Sequence, residues 1–229
     1  MTTKLLYLFD PLCGWCYASA PALATLARHF PQHLELWPSG LFSGAGARDL
    51  TPDFAAHAWH NDQRIASMTG RVFSERYRAD ILHGDGVRFD SGVIARALTW
   101  VRALDAALEP QLLHRAQLAR YVDGKDTALP GVVAEIAASL ASEAGHAADA
   151  AQLAEALSGD AVLARDTDAR IAAAQALMRQ AGIRGVPQLL VRQGDALQAV
   201  GSNALYQNDE ALAPALRQLL QSPQPPQPR

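Results

Sequence analysis

The hydrophobic pattern changes period several times along the chain, and each change predicts an element. Residues 4–9, Lys-Leu-Leu-Tyr-Leu-Phe, form a short, uninterrupted apolar run, as expected of a buried parallel strand. Asp10-Pro11-Leu12 breaks it. From Cys13 to about Phe30 the period turns helical, with Ala20, Leu23, Ala24, Ala27 and Phe30 on one stripe and a kink predicted at Pro21. Residues 34–38 alternate apolar and polar and predict a second strand. The glycine-rich loop at 38–46 carries neither a phosphate-loop lysine nor a dinucleotide fingerprint, which argues against nucleotide binding.

A helical period then dominates from Thr51 to about Leu157. Thr51-Pro52-Asp53 is a cap followed by a first-turn proline, and that helix should run towards Thr69 and stop at Gly70. Asp90 or Ser91 starts a second, with Ile94, Leu98, Val101 and Leu108 in register. A third spans about 111–121, Pro130 opens a fourth that ends near Gly145, and 149–157 is a short fifth. Residues 160–181 predict a long alanine-rich helix with Gly182 as its stop. Beyond it, residues 188–192 and 196–200 flank a Gln193-Gly194-Asp195 turn and read as a hairpin. A last helix is expected over 206–220, and the proline-rich 222–229 as a mobile, extended tail.

Composition narrows the function classes. The 229 residues suit one large domain or one domain with an insertion. Hydrophobic residues at 49% and charged residues at 19% exclude wholesale disorder. A formal charge of −3 leaves no basic excess for a phosphate backbone, which argues against nucleic acid as the main partner. No apolar run approaches the ~20 residues of a membrane span. The N-terminal apolar run is too short for a signal-peptide core, so the expected compartment is the reducing cytoplasm.

The two cysteines, Cys13 and Cys16, stand in Cys13-Gly14-Trp15-Cys16. A redox pair, half of a metal site and accident are the available causes. Zinc would need more ligands; His57 and His60 lie about forty residues away at an unsuitable spacing, so no metal is expected. A structural disulfide would close too small a loop to add much stability. The redox reading gains from position, because the pair sits where a strand ends and a helix starts. There the unpaired N–H groups and the helix dipole favour a thiolate at Cys13, while Cys16 is shielded one turn further in. Pro187, at the head of the hairpin in Gly185-Val186-Pro187, would by itself be an ordinary trans proline starting a strand.

Taken together, strand, Cys-x-x-Cys at a helix start, proline five residues on, distant Gly-Val-Pro, hairpin and final helix resemble the thioredoxin fold. The helical block between the halves resembles its DsbA-type branch. Residues 9–16, Phe-Asp-Pro-Leu-Cys-Gly-Trp-Cys, are similar to the FrnE-like, predicted disulfide-isomerase subgroup. The resemblance implies an α/β thioredoxin fold: a central mixed sheet, β-α-β then β-β-α, with a large inserted helical domain. The thioredoxin-like part would be 1–45 plus 160–221, and the insertion 46–159.

The resemblance further implies a thiol–disulfide oxidoreductase of reductase or isomerase type, acting on protein or peptide disulfides. Cys13 matches the attacking cysteine, Cys16 the resolving one, and Pro187 the cis-proline beside them. Val186 matches the residue whose backbone pairs with an extended substrate. Gly14 and Trp15, between the cysteines, and Phe42, in the loop that borders such sites, complete the candidate substrate surface. Gly14-Trp15 replaces the Pro-His of strongly oxidising relatives, which removes one stabiliser of the thiolate. Asp10 reads either as a proton relay for Cys16 or, more simply, as a cap for the turn before the helix. No cofactor is implied beyond a thiol, with glutathione or a thioredoxin-type reductant as a possible partner. Two alternatives stand beside this reading. One is a glutathione-dependent transferase or isomerase of the same superfamily, although those proteins carry serine where Cys13 stands. The other is a peptide-binding, redox-sensing adaptor without turnover.

Overall fold

The computed structural model describes residues 3–206 and 209–221; the expected tail at 222–229 lies outside the described residues. Strand β1 (Thr3–Phe9) is the centre of a four-stranded sheet ordered β2-β1-β5-β6. It pairs in parallel with β2 (Leu34–Pro38) and antiparallel with β5 (Gln188–Gln193), which forms a hairpin with β6 (Ala196–Val200). The apolar run in β1 has its cause here, since Leu5 through Phe9 are wholly inaccessible. Each such side chain contributes on the order of 2 kcal/mol by leaving water.

The helix expected over 13–30 is two helices, α1 (Gly14–Ala18) and α2 (Ala20–His29). Ser19 is the joint, and Pro21 falls in the first turn of α2, where its missing N–H costs nothing. Proline therefore starts a new helix instead of kinking an old one.

The chain then leaves the sheet. Helix α3 (Pro52–Thr69) begins at Thr51, whose hydroxyl accepts from the Phe54 N–H at 3.2 Å. It ends at Gly70, which adopts the left-handed φ of 72° that glycine tolerates. Helices α4 (Gly92–Leu104), α5 (Glu109–Tyr121), α6 (Pro130–Glu143) and α7 (Ala150–Gly159) follow. Helix α4 stops at Leu104, so Leu108 belongs to a separate short turn at 106–108. Helix α8 (Ala161–Gln180) returns along β2 and α4 to the sheet. The final helix, α9 (Asp209–Gln221), leans on α2, and Tyr206, where the pattern predicts its start, instead closes a short turn at 202–205. A π-helical turn at Tyr77–Leu82 and a ribbon of β3 (Arg48–Asp49) with β4 (Arg88–Phe89) carry no period long enough to read from sequence.

Helix α5 fastens the helical insertion to the sheet. Glu109, buried at its start, pairs with Arg102 at 3.3 Å and with Arg170 of α8. Arg170 also donates to the Leu36 carbonyl of β2 at 3.1 Å. At the other end of α5, Tyr121 donates to the Leu12 carbonyl at 2.7 Å and Gln117 to the Pro11 carbonyl at 3.5 Å. The turn that precedes Cys13 is thus held from the insertion, about 110 residues away.

Candidate active site

Strand β1 delivers the chain to Asp10, and this buried carboxylate organises the turn. Oδ1 accepts from the Leu12 N–H at 2.9 Å, and Oδ2 accepts from the Phe42 N–H at 3.0 Å and the Ser91 hydroxyl at 3.1 Å. It therefore ties the turn, the loop after β2 and the start of α4 together. Burial pushes Asp10 up to about 6, and those hydrogen bonds work against the rise. The Asp10 carboxylate is aimed at these donors; its backbone N–H, not its carboxylate, faces the Cys16 sulfur at 3.5 Å. The capping role weighed for Asp10 is the one that the geometry carries.

Cys13 is the N-cap of α1, and both cysteines are free thiols. The two differ in access: Cys13 is 8% exposed and Cys16 1%. Burial pushes the Cys16 thiol well above its ordinary range, the neighbouring Cys13 adds to that, and the backbone N–H of Asp10 works against it. Ser19, at the helix joint, donates to the Cys16 carbonyl at 3.0 Å and shares a hydrogen bond of 2.7 Å with the Tyr7 hydroxyl of β1. The inner cysteine is thereby locked to the sheet.

The distant Gly-Val-Pro segment arrives beside the pair. The Cys13 thiol donates to the Val186 carbonyl at 3.5 Å, and the Val186–Pro187 peptide bond is cis. Trp15 is partly buried and packs edge-on against Tyr206 at 5.2 Å, so its ring is shared between a packing contact and the mouth of the site. Phe42 is also partly buried, with its ring edge-on to Phe89 at 4.7 Å. Cys13, Gly14, Trp15 and Phe42 line one cavity of about 450 Å³. A smaller apolar cavity of about 270 Å³ adjoins Val186, lined in part by Leu41, Met178, Arg179 and Arg184.

The sequence pattern did not single out the insertion's side of the Cys13 cavity. Helix α3 contributes His57, Asn61 and Asp62 to it. Asp62 is 6% exposed, and its Oδ2 accepts from the Tyr77 hydroxyl at 3.0 Å. Burial raises Asp62 to about 7, opposed by that hydrogen bond and by the charge of Arg120. Arg120 of α5 is wholly buried, and its guanidinium makes no hydrogen bond within the described residues. It lies against the rings of Phe89 at 5.0 Å and Tyr77 at 5.9 Å. In a run reading His57-Ala-Trp-His60-Asn61-Asp62, the only available signal was polarity, which is the mark of a solvated face. Among the described residues, no group of three or more His, Cys, Asp or Glu is placed to hold a metal ion.

No family model and no curated protein matches the chain. Solved structures do. The cytosolic disulfide reductase DsbM from Pseudomonas aeruginosa superposes with a TM-score of 0.78 at 29% identity, over 95% of this chain and 98% of that one. The same reductase solved with GSH gives 0.78 and 28%, over 96% of this chain and 100% of that one. The chain has an α/β thioredoxin fold with a helical insertion and is similar to DsbA-like thiol–disulfide oxidoreductases. A Nitrosomonas europaea protein provisionally named a protein disulfide isomerase shares the fold, at 0.72 and 23%, over 96% of this chain and 98% of that one. Helices α3 to α7 lie in sequence between β2 and the long helix α8 that leads back to β5 and β6. No helix among the described residues is long and apolar enough to cross a membrane.

Proposed function

We propose that the protein works as a cytoplasmic disulfide reductase or isomerase on protein or peptide disulfides, with Cys13 as nucleophile, Cys16 as resolving thiol and glutathione as the thiol partner. One observation carries this reading. The more accessible sulfur of the pair faces the carbonyl of Val186 at 3.5 Å, at the edge of an open cavity, while the other sulfur is sealed beneath it. An extended substrate laid along Val186 would bring its disulfide to Cys13 by strand addition.

In the first step the Cys13 thiolate attacks one sulfur of the substrate disulfide. A Cys13–substrate bond forms, the substrate bond breaks, and the far half leaves as a thiolate. In the second, Cys16 attacks the Cys13 sulfur, the first half departs, and the proton of the Cys16 thiol ends on that departing sulfur. The product is a Cys13–Cys16 disulfide and a reduced substrate. Two molecules of glutathione, each oxidised by one electron, then restore the dithiol. The burial of Cys16 supports this order, because a high thiol pKa keeps it protonated until Cys13 is occupied.

The Pseudomonas aeruginosa reductase solved with GSH supports glutathione as the partner, and its cytosolic label supports the compartment. Trp15 and Phe42 would form the apolar floor of the substrate site, and the Val186 cavity would take flanking residues. Reduction of insulin by glutathione tests the proposal. The parent should turn over and Cys13→Ser should not. Peptide binding that survives Cys13→Ser, without turnover in the parent, would make the chain an adaptor instead.

A further inference from the structure

Gly14 and Asp62 occupy the same space. A Cβ built on Gly14 would stand 2.5 Å from the Asp62 Oδ1 and 3.0 Å from the Ile65 Cδ1, both on α3. The first is a distance that no side chain tolerates without displacing the carboxyl. The absence of a side chain at position 14 is therefore what admits the Asp62 carboxyl to the Cys13 cavity. A proline or alanine at 14 would have filled that position. Asp62 cannot easily swing away, because Tyr77 holds its other oxygen at 3.0 Å and the residue is almost wholly buried.

A dithiol exchange needs a proton on this side of the pair. When Cys13 attacks, the far half of the substrate leaves as a thiolate inside the cavity. An aliphatic thiolate is a poor leaving group in an apolar site unless it is protonated as it departs. Asp10 cannot supply that proton, since its carboxylate is turned to Leu12, Phe42 and Ser91.

We infer that Asp62 is a catalytic residue that donates its proton to the leaving thiolate of the substrate, and that Gly14 keeps the approach to the reacting sulfurs open. The step balances. The Cys13–substrate sulfur bond forms and the substrate disulfide breaks. The leaving sulfur takes the electron pair of that bond and the proton of the Asp62 carboxyl, and the carboxylate regains a proton from water at the cavity mouth. The inference rests on the proposed function and assigns it a proton donor.

The groups around Asp62 suit the cycle. Tyr77 from the π-helical turn donates to it, and Arg120 and Tyr121 from α5 act on it or beside it through their fields. His57 and Asn61 share its helix face, and Arg48 lines the same cavity. Burial holds Asp62 near 7, so both protonation states are populated at neutral pH. The unpaired guanidinium of Arg120 offsets the charge left when the proton goes.

Two disulfide substrates separate this role from a structural one. An aromatic disulfide such as a nitrobenzoate dimer releases a thiol that is ionised at neutral pH and needs no proton. An aliphatic dipeptide disulfide releases one that does. With Asp62→Asn, which retains an acceptor for Tyr77, kcat/KM on the aliphatic disulfide should fall by at least about tenfold. On the aromatic one it should fall by less than about threefold; the parent's kcat/KM on the aliphatic substrate should decline as pH rises through about 7, and the variant's should not. Equal losses on both substrates, or no loss on either, would overturn the inference while leaving the proposed function intact. A parent inactive on both would overturn the proposed function, and the inference with it.

Discussion

The Cys13 sulfur and the Val186 carbonyl oxygen, 173 positions apart in sequence, stand 3.5 Å apart in space. That contact joins the first strand–helix junction to the head of the β5–β6 hairpin, so the Cys13 sulfur and the backbone beside it come from distant parts of the chain. The antiparallel pairing of β1 with β5 holds the two parts in register.

The difference in burial between the cysteines predicts different outcomes for their replacement. Cys13→Ser should reduce disulfide turnover to background. Cys16→Ser should still attack substrate through Cys13 and should stop at a mixed disulfide, because no second thiol is left to resolve it. Mass spectrometry of the protein after exposure to oxidised glutathione would show an adduct on Cys16→Ser and none on Cys13→Ser.

Gly14→Ala should lower stability by about 1–3 kcal/mol, as overpacking in a closed site does. The cause is the 2.5 Å approach to Asp62. Adding Asp62→Ala should return part of that loss, since the clashing oxygen is gone. A double-mutant cycle by chemical denaturation measures the coupling, and simple additivity would contradict the contact.

Tyr121→Phe should cost about 1–3 kcal/mol, because it leaves the buried Leu12 carbonyl without its donor. The same change loosens the turn before Cys13, so the loss in kcat/KM should exceed what the loss of folded protein explains. Denaturation curves and activity on one preparation check both parts.

Asp62 makes stability depend on pH in a stated direction. An unfolded Asp titrates near 3.8 and the folded one near 7, so between those values the folded state holds a proton that the unfolded state has lost. Its contribution is full below about 4 and disappears as pH rises through about 7, at up to about 1.4 kcal/mol per pH unit. The stability of Asp62→Asn relative to the parent should therefore rise across that window and level off above it. Denaturation midpoints at several pH values measure the difference, and a pH-independent difference would contradict the burial of this carboxyl.

The features that are legible in sequence share a cause. The β1 run, the caps at Thr51 and Gly70, and the Cys13–Cys16 pair each leave a local signature of spacing or punctuation. The division of residues 13–30 at Ser19 was half visible, because Pro21 can mark either a kink or a first turn and only packing decides. Asp62, Tyr77 and Arg120 were not legible. They lie on three separate elements, and each looks like an ordinary polar or aromatic residue until the insertion folds over Gly14. The hydrogen bond from Ser91 to Asp10 is another such case, since nothing local marks a serine for a partner 81 positions away.

The central claim is that Cys13 and Cys16 cycle between dithiol and disulfide during catalysis. Equilibrating the protein against graded ratios of reduced and oxidised glutathione, then counting alkylatable thiols by mass, tests it most directly. The expected result is a single two-electron transition between a species with two free thiols and one with none, with no stable glutathione adduct on the parent. A protein that keeps both thiols free at every ratio, or accumulates only a Cys13–glutathione adduct, would contradict it.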